Sequence, residues 1–167
     1  MRIEFKELFT VESLQTIRDL ADVIWPETFE KILSPEQIKY MMKMMYAPEV
    51  QAAELADGVH FEVINIDNTP AGYLVYSAYK EEPHTAKLHK LYLQSTFHGQ
   101  GIGQQMLDHA QNQCRKLGFQ YILLTVNKHN DRAIKAYCRN GFIKVNEACV
   151  PIGGGFFMDD YIMKKAL

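Results

Sequence analysis

The chain has 167 residues, 47% of them hydrophobic and 23% charged, with a formal net charge of -2. That composition excludes collagen-like and disordered chains, and one domain over residues 1–167 with a single core is expected at this length. Neither a block of roughly five or more lysines and arginines nor an apolar run of about 18 residues occurs. Nucleic acid and membrane are therefore not expected partners, and a cytoplasmic location is the simplest reading.

Met1 to Lys6 alternates apolar and polar residues as a strand does, and Val11 to Trp25 places Leu14, Ile17, Ala21 and Ile24 at helical spacing. Ser34-Pro35-Glu36-Gln37 combines an N-cap serine, a proline for the first helical position and a capping-box glutamine. It starts a second helix whose Ile38, Met41, Met42 and Met45 share a face, read as core or helix contact before ligand wall. Phe61 to Ile66 and Gly72 to Ala78 are β-rich runs around the turn Asp67 to Ala71, and a strand from Ala86 to Leu93 follows.

A helix then runs from Gly101 to Leu117 and closes at Gly118. The nearly all-apolar Tyr121 to Val126 suits a strand covered on both faces. Asn130 to Asn140 is amphipathic, with Ala133, Ile134, Tyr137 and Cys138 on one side. Phe142 to Val150 and Phe156 to Lys164 are closing strands joined through Pro151 to Gly155. The predicted order is β-α-α-β-β-β-α-β-α-β-β, a mixed α/β chain without repeats. Cys114, Cys138 and Cys149 lie far apart and are expected as small packing residues; the six histidines show no ligand spacing, so no metal site is expected.

Chemistry concentrates in Leu91-Tyr92-Leu93-Gln94-Ser95-Thr96-Phe97-His98-Gly99-Gln100-Gly101-Ile102-Gly103, a strand that passes through a glycine-rich turn into a helix. Glycines at alternate positions let backbone amides approach a ligand, and a helix N-terminus favours phosphate. A P-loop would need lysine and then serine or threonine after Gly103, where Gln104 and Gln105 stand; a dinucleotide fingerprint would need glycine or alanine in place of Met106. The plain alternative is a strand-helix corner that happens to use glycine.

His98-Gly99-Gln100-Gly101-Ile102-Gly103 resembles the acetyl-CoA motif of the GNAT acetyltransferases, (Gln/Arg)-x-x-Gly-x-(Gly/Ala). Asn130, Ala133, Tyr137, Gly141 and Phe142 are spaced like that family's second signature. The resemblance covers the whole chain and implies a central, mostly antiparallel sheet of about seven strands, splayed between the fourth and fifth, with helices on both faces. It departs at His98, which stands where the family carries glutamine or arginine.

The resemblance implies acetyl-CoA as co-substrate. Amides of Gly99, Gln100, Gly101, Ile102 and Gly103, with His98 beside them, would hold the pyrophosphate. The main chain of Leu91, Tyr92 and Leu93 would bond the pantetheine arm and polarise the thioester carbonyl. Asn130 and Ala133 would meet the cofactor from the other side, and Tyr137 would protonate the departing thiolate. His89 is the first candidate for general base and Glu27 the second.

The acceptor would be an amine. Glu27, Glu30, Glu81, Glu82, Asp159 and Asp160, in or near the variable acceptor segments, are acidic residues that could attract a polycation, though a solvated face is the plainer reading of any one of them. Trp25 to Phe29 and Gly155 to Tyr161 look like bacterial spermidine/spermine acetyltransferases, which implies a polyamine or related small amine. Acetylation of a protein amine and a non-catalytic acyl-CoA-binding module are the alternative readings. Dimerisation is common among such proteins, but no sequence feature fixes a homodimer interface.

Overall fold

Strand alternation at the N-terminus is realised as β1 (Ile3–Leu8), and the helical spacing that follows as α1 (Gln15–Phe29). The computed structural model describes all residues, Met1–Leu167, and continues with α2 (Pro35–Tyr46), α3 (Pro48–Ala56), β2 (His60–Ile66), β3 (Thr69–Ala78) and β4 (Thr85–Leu93). Then come a 3-10 turn at Ser95–Phe97, α4 (Ile102–Lys116), β5 (Tyr121–Asn127), α5 (Asp131–Arg139), β6 (Ile143–Gly153) and β7 (Phe156–Ala166). The strands form one seven-stranded sheet in the order β1-β2-β3-β4-β5-β7-β6. β4 runs parallel to β5, while β1–β2, β2–β3, β5–β7 and β6–β7 are antiparallel. This is the mixed fold that the resemblance implies.

Four local expectations need correction. First, α1 does not stop at Trp25 but passes through Pro26 to Phe29. Proline there removes one helical bond at a cost of about 3 kcal/mol, which burial of Trp25 and Phe29, at about 1.5–3 kcal/mol per large apolar side chain, offsets. Second, α3 was not foreseen. Pro48 forces Ala47 into an extended backbone (ψ 140°), which ends α2, and itself fits the first position of the next helix. Third, the turn between β2 and β3 is two residues long: Asp67 and Asn68 both take positive φ, 49° and 66°, the primed-turn geometry that matches strand twist. Of the cysteines, only Cys114 is a packing residue; Cys138 and Cys149 are exposed thiols.

The chain divides into two compact units, Met1–Ser77 with His89–Ala110, and Ala78–Leu88 with Gln111–Leu167. In the first unit Ile24, Trp25, Phe61, Ile64, Tyr73 and Leu74 are fully buried. Its α4 segment is tied to β2, because His109 Nε2 lies 2.8 Å from the buried Glu62 carboxylate, which also accepts a 2.6 Å bond from the Tyr76 hydroxyl. Phe5 of β1 stacks on the His109 ring at 3.9 Å.

In the second unit Ile122, Leu124, Phe142 and Met163 are buried, and Lys164 pairs with Glu82. Its parallel ladder comprises Thr85↔Tyr121, Ala86↔Ile122 and Lys87↔Leu123, and the division between units falls at Leu88. No helix is long and apolar enough to cross a membrane.

Candidate active site

The end of β4 is held by a backbone approach closer than any side chain permits. A Cβ on Gly72 of β3 would lie 2.5 Å from the Tyr92 carbonyl oxygen and 3.2 Å from the Leu93 Cα, so glycine is a steric requirement there. The Gln94 amide donates to the Ala71 carbonyl at 2.9 Å and continues the attachment past the strand. Leu91 and Tyr92 are half-buried and Leu93 is buried, so the strand carrying the expected oxyanion donor is rigidly placed.

After the 3-10 turn the chain enters α4 through Gly99 and Gly101, whose φ values are 77° and 78°. Only glycine takes these readily. Gly103 differs, since its φ is ordinary and an added Cβ would meet no protein atom within 4 Å. Glycine inside a helix costs about 1 kcal/mol relative to alanine, and nothing within the protein accounts for it. The space against the first turn of α4 is open there.

His98 is used within this loop. Its Nε2–H donates to the Leu93 carbonyl at 2.8 Å, which ties the end of β4 to the glycine turn and fixes the Nε2-protonated tautomer or the imidazolium. Gln100 also turns inward, donating from Nε2 to the Thr96 carbonyl at 3.3 Å. Glu27 of α1 accepts a 2.9 Å bond from Ser95 Oγ, and His89 Nε2 lies 2.7 Å from Ser77 Oγ across β3 and β4. The first unit thus brings Glu27, His89, Leu91–Leu93 and His98–Gly103 onto β4, the loop after it and the helix edge bonded to that loop.

Behind β4 lies a polar-aromatic network that sequence reasoning missed. Trp25 Nε1 donates to the Tyr46 hydroxyl at 2.8 Å, and Tyr46 and Tyr73 share a hydrogen bond of 2.6 Å. Burial raises both phenols well above their ordinary value. Lys90, buried, stands 5.1 Å over the Tyr46 ring, and the Glu54 carboxyl is raised by burial, an effect opposed by Lys90. Glu54 belongs to the unforeseen helix α3; a helical reading of Pro48–Ala56 would have been the only signal.

In the second unit Asn130, Ala133 and Tyr137 fall on the start and body of α5. Asn130 is the N-cap, its side chain accepting from the Ala133 amide at 3.4 Å. Tyr137 is half-buried, and desolvation pushes its phenol up to about 12. It therefore stays protonated at any physiological pH. Phe142 meets its ring edge-on at 5.6 Å, and the Phe142 amide donates to the Tyr137 carbonyl, which fixes the helix end.

The acidic acceptor candidates separate by environment. Glu27 is bonded to Ser95, Glu81 accepts from the Tyr79 hydroxyl, Glu82 pairs with Lys164, and Asp159 lies 2.8 Å from Lys128. Glu30 is exposed on a groove of about 430 Å³ formed by α1 and α2. Asp160 is buried, and its carboxyl is raised to about 6 by desolvation first and by Asp159 second.

The acetyltransferase (GNAT) family model matches residues 14–142. An uncharacterized N-acetyltransferase from Lactobacillus delbrueckii subsp. lactis is 29% identical over 84% of each chain. The spermidine N(1)-acetyltransferase of Thermoplasma acidophilum is 27% identical over 85% of this chain and 89% of its own length. The crystal structure of PaiA N-acetyltransferase from the same organism, in complex with coenzyme A, superposes with a TM-score of 0.82 at 26% identity, covering all of both chains. A family match over most of the chain, joined to this fold and this glycine turn, means that the chain belongs to the GNAT acetyltransferase family, enzymes whose co-substrate is acetyl-CoA.

Proposed function

We propose that the chain transfers the acetyl group of acetyl-CoA to a primary amine of a small polyamine-like acceptor, by direct attack in a ternary complex. The observation that carries the acceptor class is the similarity to a spermidine N(1)-acetyltransferase along nearly the whole of both chains. Positive φ at Gly99 and Gly101, and the unexplained glycine at 103, support an amide cradle for the pyrophosphate from Gly99 to Gly103.

In this reading the main chain of Leu91–Leu93 holds the pantetheine arm, and an amide of that stretch stabilises the oxyanion. Asn130 and Ala133 open the helix that meets the cofactor. His98 acts by strapping the glycine turn to Leu93. His89 and Glu27, engaged with Ser77 and Ser95, hold β4 and the following turn, and the first deprotonation falls to another group.

The acceptor arrives as an ammonium and loses one proton. Its nitrogen lone pair then forms the C–N bond at the thioester carbonyl, whose oxygen takes the negative charge. Collapse breaks the C–S bond; sulfur takes the Tyr137 proton, and the second amine proton restores the phenol. The products are the N-acetyl amine, free CoA and one proton. Thiol release with spermidine, spermine and putrescine tests this. Release with at least one is expected, and none from a protein that binds acetyl-CoA would remove the polyamine acceptor.

A further inference from the structure

We propose that Asp160 receives the ammonium group of the acceptor and takes its first proton, an inference that rests on the acetyl transfer to an amine proposed above. Asp159 and Asp160 are neighbours on β7, so strand alternation points them to opposite faces. On one face Asp159 is 2.8 Å from Lys128, which also approaches Glu147 at 3.8 Å. Asp160 is only 8% exposed, and its side chain, unlike that of Asp159, forms no salt bridge. A carboxylate on a buried residue outside any salt bridge is costly to the fold, and the ammonium of a ligand would offset that cost.

Register places it further. The parallel ladder ends at Lys87↔Leu123, whereas β5 and β7 stay paired as far as Asn127↔Asp160. Asp160 thus stands on β7 beside the stretch of β5 past the end of the β4 ladder, with Asn127 on one side and Ala148 of β6 on the other. The charged groups that act on it are Asp159 of its own strand, Lys87 of β4 and Lys128 after β5. The two lysines lower its pKa less than burial and Asp159 raise it, so the carboxyl sits at about 6. It is ionised at pH 8, able to pair with an ammonium, and more basic than an ordinary carboxylate.

A folded pKa of about 6 against an ordinary 3.8 means that the ionised form is disfavoured in the fold, a cost fully present above pH 6 and relieved as pH falls between the two values. Asp160→Asn should therefore not lower Tm at pH 8, which a structural role would require. With spermidine as probe, kcat/KM at pH 8 should fall about 100-fold, and the acid limb of the wild-type profile near pH 6 should vanish while acetyl-CoA affinity is unchanged.

Two outcomes overturn the assignment: an Asp160→Asn protein with wild-type kcat/KM and the same acid limb, or a variant destabilised at pH 8. A measurement without turnover runs beside these. Spermidine added with CoA should raise the Tm of the wild type and not of the variant; equal shifts, or none in either, also defeat the proposal. Failure of the acetyl-transfer reading looks different, because the wild type would then show no binding of acetyl-CoA at all.

Discussion

In the proposed cofactor turn from Gly99 to Gly103, the groups that would meet a ligand are backbone amides, with positive φ at two glycines. On β7 the contrast lies between two side chains: Asp159 and Asp160 share chemistry, yet Asp159 reaches Lys128 while Asp160 is buried and in no salt bridge. Backbone recognition, as proposed here, would tolerate exchange of the flanking residues, including His98 in the place of glutamine or arginine. Side-chain recognition depends on a single carboxylate and so can differ between relatives that share the turn. On the proposed reading, cofactor and acceptor specificity would be separable in one chain.

The largest test of that separation is Tyr137→Phe. Loss of the proton donor should lower kcat about 100-fold, close to 2.7 kcal/mol of barrier, with acetyl-CoA affinity preserved in a calorimetric titration. With the phenol at about 12, the wild type should show no basic limb from Tyr137 below roughly pH 10. A variant that turns over normally would end the assignment and leave the turn as the sole chemical feature of the chain.

A smaller effect is expected at the support of the turn. Burial raises the Glu62 carboxyl, but the bonds from His109 and Tyr76 outweigh it and hold it below its ordinary 4.5. Its contribution is therefore present above that value and lost as pH falls through the still lower folded pKa. Glu62→Gln should cost about 1–2 kcal/mol at pH 7, read from urea denaturation, and the gap to wild type should narrow in acid. A gap that is the same at pH 3 and pH 7 would mean that the carboxylate charge is not what anchors α4.

The smallest effect sharpens the comparison most. Gly103→Ala should stabilise α4 by up to about 1 kcal/mol while weakening acetyl-CoA, because the new Cβ meets no protein atom. Stabilisation together with unchanged affinity would show that the ligand lies away from this position.

How far the sequence was legible follows the same line. Alternate glycines, the Ser34 N-cap and the two-fold pattern of the strands are local signals, and each element they mark is present. The helix Pro48–Ala56 was missed because its start depends on what proline does to Ala47, and α1 runs past Pro26 because tertiary burial overrides a local breaker. Gly72 gave no sign of its role, since the atom that forbids a side chain there is the Tyr92 carbonyl, 20 positions away in the chain. The contrast between Asp159 and Asp160 likewise arises only when β5 and β6 flank β7 and Lys128 takes one of the pair.

Amide hydrogen exchange with and without acetyl-CoA tests the central claim most directly. The amides of Gly99 to Gly103 should gain the strongest protection of any segment on addition of the cofactor, with a second gain at Leu91 to Leu93. Saturating acetyl-CoA that leaves the glycine turn exchanging as before, or protects a different segment instead, would contradict the account.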